Sequence, residues 1–130
     1  MVSKTSVPKS SKARKQRKFL YTAPLHIRRR MISAHLSKEL RAKYKTRSMT
    51  LRKGDEVEVM RGKFKKRTGK VARINTKKYK AYVDGIMIKK TDGTERQVPL
   101  HPSKLKILNL ELSDKKRLKA LEEKTAKGAK

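Results

Sequence analysis

The chain contains no cysteine and no tryptophan, only two phenylalanines (Phe19 and Phe64), and just 11 acidic side chains against 39 lysines and arginines. Without cysteine there is no disulfide framework, no CxxC zinc ribbon and no thiol nucleophile, and an intracellular address is the default expectation. No run of roughly 18 or more apolar residues is present, and no signal-peptide apolar region follows the N-terminus. A basic helix lying on a lipid surface wants Trp or Phe on its apolar face, so no membrane partner is expected. The three histidines, His26, His35 and His101, lie in different segments without metal-ligand spacing, and neither a metal nor a cofactor is expected.

What the chain does have is positive charge, a formal +28 in 130 residues. Self-repulsion of that size calls for a polyanion, and nucleic acid is the natural partner. Residues 1–50 hold 15 basic and one acidic side chain, residues 51–110 hold 17 and 6, and residues 111–130 hold 7 and 4. Three segments are therefore expected: a basic N-terminal extension with short helices (1–50), a folded β unit (51–110), and a C-terminal helix and tail (111–130). The first should order only when phosphates neutralise it. A unit of about sixty residues buries only roughly 60% of its unfolded surface and benefits from a partner.

Ser11 to Lys18 is a run of good helix formers with a serine cap. Pro24 can open a second helix at its first position, with Leu25, Ile27, Met31 and Ile32 forming an imperfect apolar stripe. Ser37 can cap a third, Lys38 to about Tyr44, with Leu36 and Leu40 spaced to dock. From Leu51 the period drops to two. Strands are predicted around Val57 and Val59, Val71 and Ile74, Ala81 to Val83, Ile86 and Ile88, Glu95 to Val98, and Leu105 to Leu108. Asp92-Gly93 signals a two-residue hairpin turn. Five or six short strands with tight turns suggest a mainly β fold, a small bent barrel, since closure removes exposed edges. Ser113 or Asp114 can cap a last helix carrying Leu118 and Leu121.

Arg52-Lys53-Gly54-Asp55-Glu56-Val57-Glu58-Val59-Met60-Arg61-Gly62, followed by Lys65-Lys66-Arg67-Thr68-Gly69-Lys70-Val71, has the pattern of a KOW motif: turn, alternating strand, basic glycine-punctuated loop, second strand. With Ala23-Pro24-Leu25-His26-Ile27-Arg28-Arg29, Leu36-Ser37-Lys38-Glu39-Leu40, Arg47-Ser48-Met49 and His101-Pro102-Ser103-Lys104, residues from about Arg14 to Leu108 resemble the universal large-subunit ribosomal protein twenty-four family, numbered twenty-six in eukaryotes. The N-terminal pieces resemble its archaeal and eukaryotic branch, and the short C-terminal tail looks archaeal. The resemblance implies an SH3-like KOW barrel and a structural role in the cytoplasmic large subunit. It also implies binding to the 5′ region of large-subunit rRNA early in assembly, beside neighbouring ribosomal proteins and near the peptide exit tunnel. Where the family usually has Gly after Lys65, this chain has Lys66, which meets a steric penalty at positive φ.

The candidate rRNA-binding residues follow the clusters of charge. The arm supplies Lys12, Arg14, Lys15, Arg17 and Lys18, then Arg28, Arg29 and Arg30, then Arg41, Lys45 and Arg47. Arg52 and Lys53 precede the first motif strand; Arg61, Lys63, Lys65, Lys66 and Arg67 form the loop around Phe64, with Lys70 beyond it. Lys77, Lys78, His101 and Lys104 complete the set. Arginine offers a planar fork to phosphate oxygens, and neutralising on the order of ten phosphates gives a log K against log salt slope of roughly −7 to −9. For any single lysine, plain surface solvation is an even alternative; for the clusters it is the weaker one.

Phe64 is expected in the core, and Gly54, Gly62 and Gly69 at turns needing positive φ. Asp55, Glu56 and Glu58 cluster, but the glutamates alternate with core valines, so ion-pair balancing fits better than acid/base chemistry. No catalytic residue and no small-molecule substrate are expected. A KOW-type transcription elongation module contacting RNA polymerase and nascent RNA is the alternative. It would need an αβ domain ahead of the barrel, which residues 1–50 are too basic to build. A general nucleic-acid-binding protein is weaker still.

Overall fold

Alternating burial along short strands builds the body of the protein, and among the described residues four α-helices flank it. The computed structural model describes residues 8–128. The elements are α1 (Ala13–Thr22), α2 (Leu25–Met31), β1 (Ser33–Leu36), α3 (Lys38–Tyr44), β2 (Ser48–Thr50), β3 (Glu56–Val59), β4 (Thr68–Asn75), β5 (Lys80–Val83), β6 (Met87–Lys89), β7 (Glu95–Gln97), β8 (Leu105–Asn109) and α4 (Lys115–Gly128), with a 3-10 turn at Pro102–Lys104. Helix and strand have similar shares, so the fold is mixed α/β around a small β-rich unit, not mainly β.

Six strands form one sheet in the order β2-β1-β8-β3-β4-β5, with β1 parallel to β8 and the other neighbours antiparallel. Val57 and Val59 stand opposite Ile107 and Leu105, and all four are fully buried. Ile32, Leu36, Val71, Val83, Ile86 and Leu121 join them in one core cluster. Each such side chain contributes roughly 1.5–3 kcal/mol by leaving water.

The sequence predicts no strand before Leu51, yet β1 and β2 occupy residues 33–36 and 48–50. Ile32 closes α2 at φ −85 and ψ 66 and is 1% exposed. It starts a period-two series, Ile32, Ala34 and Leu36, whose side chains enter the core while Ser33 and His35 stay half-buried. Ile86 and Ile88 do not share a face: Ile86 is buried, whereas Ile88 is 45% exposed, because β6 pairs only with β7 in a separate hairpin. That hairpin turns through three residues rather than two. The Gly93 N–H donates to the Lys90 carbonyl, the Lys90 N–H to the Thr94 carbonyl, and only Gly93 takes a positive φ.

Helix ends follow the same local chemistry with shifts of one position. Ser37 caps α3, its hydroxyl accepting from the Leu40 N–H at 3.3 Å. Pro24 is the N-cap of α2, one place ahead of its first turn. Ser11 caps nothing: α1 follows Lys12 without a side-chain cap, while Ser10 Oγ accepts from the Lys12 N–H and the Gln16 amide donates to the Ser10 carbonyl at 2.8 Å. Asp114 caps α4 through the Lys116 N–H at 2.8 Å. Leu121 is core and Leu118 half-buried, so the apolar side of α4 rests largely on its own domain.

Gly69 does not sit at a turn. It lies in β4 opposite Val57, and a Cβ there would stand 2.5 Å from the Asp84 carbonyl oxygen and 2.9 Å from Val83 Cγ1. Its hydrogen is needed for close approach of two backbones, not for positive φ. Gly69→Ala is expected to cost about 1–3 kcal/mol, read from urea unfolding midpoints, because the neighbour is backbone and cannot swing aside.

Candidate nucleic-acid interface

The N-terminal arm presents its charges on a helix that buries nothing. Lys12, Arg14, Lys15, Arg17 and Lys18 are all exposed. The far end of α1 is tied to the body by one side chain, Tyr79, whose hydroxyl donates to the Leu20 carbonyl at 2.7 Å. That bond sets the arm beside the β4–β5 turn, where Lys77 and Lys78 are also exposed. Arg28 differs from its neighbours. Its Nε donates to the Ala23 carbonyl at 2.8 Å and its terminal nitrogen to the Tyr21 carbonyl, so it fastens α2 to the end of α1. Arg29 and Arg30, in the last turn of α2, remain exposed.

The loop after β3 is held by its own backbone. Val59 and Arg67 close it through a 2.9 Å bond, Lys66 N–H donates to the Val59 carbonyl at 2.8 Å, and Lys65 N–H to the Gly62 carbonyl at 3.1 Å. Arg61, Lys63, Lys65, Lys66 and Arg67 are all exposed on this frame. Phe64 is half-buried against the core and carries the Arg67 guanidinium 5.3 Å above its ring, which anchors the loop without offering the ring to a base. Lys66 takes φ +68, the left-handed conformation a glycine would adopt freely. A non-glycine residue there carries about 1–2 kcal/mol of strain, partly offset by the freedom glycine would add to the unfolded chain, so Lys66→Gly should stabilise by about 0.5–1 kcal/mol. If Lys66 meets a phosphate, the same variant lowers the salt slope of RNA binding by roughly 0.7–0.9. Thermal melts and filter binding read the two effects separately.

The loop base meets a second predicted segment, since the Met60 N–H donates to the Lys104 carbonyl at 2.8 Å. His101 opens the turn there. Burial, then the charges of Lys80 and Lys104, lower its pKa, so its ring is neutral at pH 7 and Nδ1 accepts from the Ser103 N–H. A third group, Arg41, Lys45 and Arg47, surrounds α3; Arg41 Nε also donates to the Leu36 carbonyl at 2.9 Å, and Lys45 closes the helix at φ +50. Lys70 is exposed on β4 opposite Glu56. On the adjoining strands Glu58 pairs with Lys106 at 2.6 Å, the charge balancing the sequence suggests.

Arg52 and Lys53 belong to a fourth group, around a cleft of 810 Å³ between α2, the β2–β3 connection and α4. Arg52 is ion-paired with Asp114. That pairing first, and the Lys116 N–H second, hold the Asp114 carboxyl below the usual carboxylate range. The stabilisation is present above the ordinary carboxylate pKa and fades as pH falls through the lowered value.

Beneath this cleft lies a pair that charge patterning does not reveal. Asp55, grouped in the sequence with Glu56 and Glu58 as a charge-balancing cluster, is 0% exposed, and Arg117 is 2% exposed. The guanidinium grips the carboxylate with both terminal nitrogens, at 2.6 and 2.8 Å, and donates further to the Glu111 and Thr50 carbonyls. The carboxylate also accepts the Arg52 and Glu111 N–H groups at 2.8 and 3.0 Å. The first turn of α4 is thereby fixed to the turn that opens β3. Nothing in the spacing of one aspartate and an arginine 62 residues later signals the pair.

A small body with its cations displayed on an arm, turns and loops defines a basic, polyanion-facing protein, and among the described residues no His, Asp or Glu group is arranged to hold a metal. Residues 10–124 match the family described as "Ribosomal proteins L26 eukaryotic, L24P archaeal", and the chain belongs to that family. A curated relative, "Large ribosomal subunit protein uL24" of Korarchaeum cryptofilum (strain OPF8), is 49% identical over 119 residues, covering 92% of this chain and 91% of the relative.

Proposed function

We propose that the protein is a structural constituent of the cytoplasmic large ribosomal subunit, without a catalytic step, and that it holds the 5′ region of large-subunit rRNA during assembly. Family membership over residues 10–124 supports the structural role. The observation that carries the binding reading is α1, five exposed cations on or beside a helix with no buried residue, a design that makes no sense for packing. Division of labour follows three segments: residues 1–50 carry the principal RNA-holding arm and also give β1 and β2 to the sheet, 51–110 form most of the β-rich body, and 111–130 form a closing helix and tail. We read the antiparallel run β8-β3-β4-β5, bridged onward from Ala81 to Leu100, as a small SH3-like barrel of KOW type. The family resemblance supports a place near the exit tunnel, beside neighbouring large-subunit proteins, as part of this reading.

The contacts are phosphate contacts for the most part. Arg29, Arg30 and the loop cations position the protein, while Arg28 acts indirectly by shaping the arm. Filter binding to a 5′-region rRNA fragment tests this reading. A slope of roughly −7 to −9 in log K against log salt is expected, and a slope near zero would remove it.

A further inference from the structure

The cleft among α2, the β2–β3 connection and α4 has a composition that suits more than a phosphate backbone. Its deep members are apolar, Ile32, Met49 and Leu51, each 7% exposed or less. Its exposed members include Arg29, Lys53 and Lys116. Six lining side chains are cationic against two carboxylates, Glu111 and Asp114, and two of the six, Arg52 and Arg117, are already paired with Asp114 and Asp55. Arg117 also brings the buried Nε that has no hydrogen-bond partner among the described residues. An apolar interior under a ring of unpaired cations is what a nucleotide presents in reverse: a flat base and an anionic phosphate.

We propose that this cleft receives one unpaired nucleotide of the bound RNA, its base against Met49 and Leu51 and its phosphate among Arg29, Lys53 and Lys116. The proposal rests on the rRNA-binding reading and gives it a second mode. The volume of 810 Å³ lies in the range of small-ligand sites, roughly 300–1,000 Å³, and is far too small for a duplex. Unstacked bases of loops and bulges are the part of RNA that side chains read best.

Nuclear magnetic resonance of the whole chain tests it, with a single-stranded RNA tetranucleotide, an RNA duplex of equal phosphate count and inorganic phosphate as probes. The tetranucleotide should shift the amides of Leu51, Lys53 and Lys116 at concentrations about tenfold below those the duplex needs. Ala120→Trp, which obstructs the cleft without changing charge, should weaken that binding by about tenfold while making the salt slope for the rRNA fragment shallower by no more than one phosphate's share, roughly 0.7–0.9. Equal shifts from the duplex or from phosphate, or full tetranucleotide binding by the tryptophan variant, would overturn the proposal. If Ala120→Trp lowers the melting temperature, Arg29→Ala with Lys116→Ala replaces it, both being exposed; undiminished tetranucleotide binding by that pair would equally overturn it. Loss of the salt slope in the unaltered chain would instead remove the broader reading, and the tetranucleotide shifts would still decide the cleft.

Discussion

Asp55→Ala should lower the free energy of unfolding by about 3–5 kcal/mol, the cost of leaving a buried guanidinium without its counter-charge. Arg117 would keep only the Thr50 and Glu111 carbonyls, and the Arg52 and Glu111 N–H groups would lose their acceptor. Against a total stability of about 5–15 kcal/mol for a domain, the loss is large enough to unfold much of the population at moderate temperature. Arg117→Met should cost less, because Asp55 keeps two backbone donors. The double variant should be less unstable than the sum of the two by about 1–3 kcal/mol, since neither partner is then left charged and alone. Urea unfolding followed by circular dichroism measures all three; strictly additive losses would mean the pair is not coupled. The salt slope for the rRNA fragment, measured where each variant is still folded, should change little, because neither side chain is an exposed cation.

The opposite pattern is expected from α1. Replacing Lys12, Arg14, Lys15, Arg17 and Lys18 together by glutamine should make the log K against log salt slope shallower by about 3.5–4.5, at roughly 0.7–0.9 for each phosphate no longer neutralised. Affinity for a 5′-region rRNA fragment should fall by orders of magnitude at low salt and by less as salt rises, since the missing term is counterion release. Because α1 buries no residue and glutamine is nearly as good a helix former as lysine or arginine, the melting temperature should stay within a degree or two. An unchanged slope with unchanged stability would mean that these charges only solvate the arm. The two experiments separate what holds the protein together from what holds the RNA.

Where the sequence could be read and where it could not have physical reasons. Strands β3, β5 and β8 lie where alternation of apolar with polar residues places them, because a half-buried pleated strand imposes that period, while β4 runs through Val71 and Ile74 with a register shift and β7 follows the Asp92-Gly93 turn. β1 carries the same alternation in Ile32, Ala34 and Leu36, but Ile32 also falls seven residues after Leu25 and completes a helical stripe. Four residues are too few to decide between the two periods. Gly69 shows a second limit: a glycine that admits a neighbouring carbonyl looks identical in sequence to one that turns the chain. Asp55 and Arg117 show a third, since a buried ion pair joining distant segments leaves no local pattern. At the candidate interface the clusters of cations are plain in the sequence. The inward use of Arg28 depends on how α2 turns back on the end of α1, and the pairing of Arg52 and the lowered pKa of His101 depend on tertiary neighbours, as does the cleft to which α4 contributes Lys116.

Whether the arm holds this basic chain in the large subunit can be read from sedimentation of cell lysate on a sucrose gradient at moderate salt, with the protein located by immunoblot. The unaltered chain should co-migrate with large subunits and the α1 glutamine variant should shift toward the top of the gradient. Free protein at the top in both cases, or co-migration with RNA polymerase, would rule out residence in the large subunit.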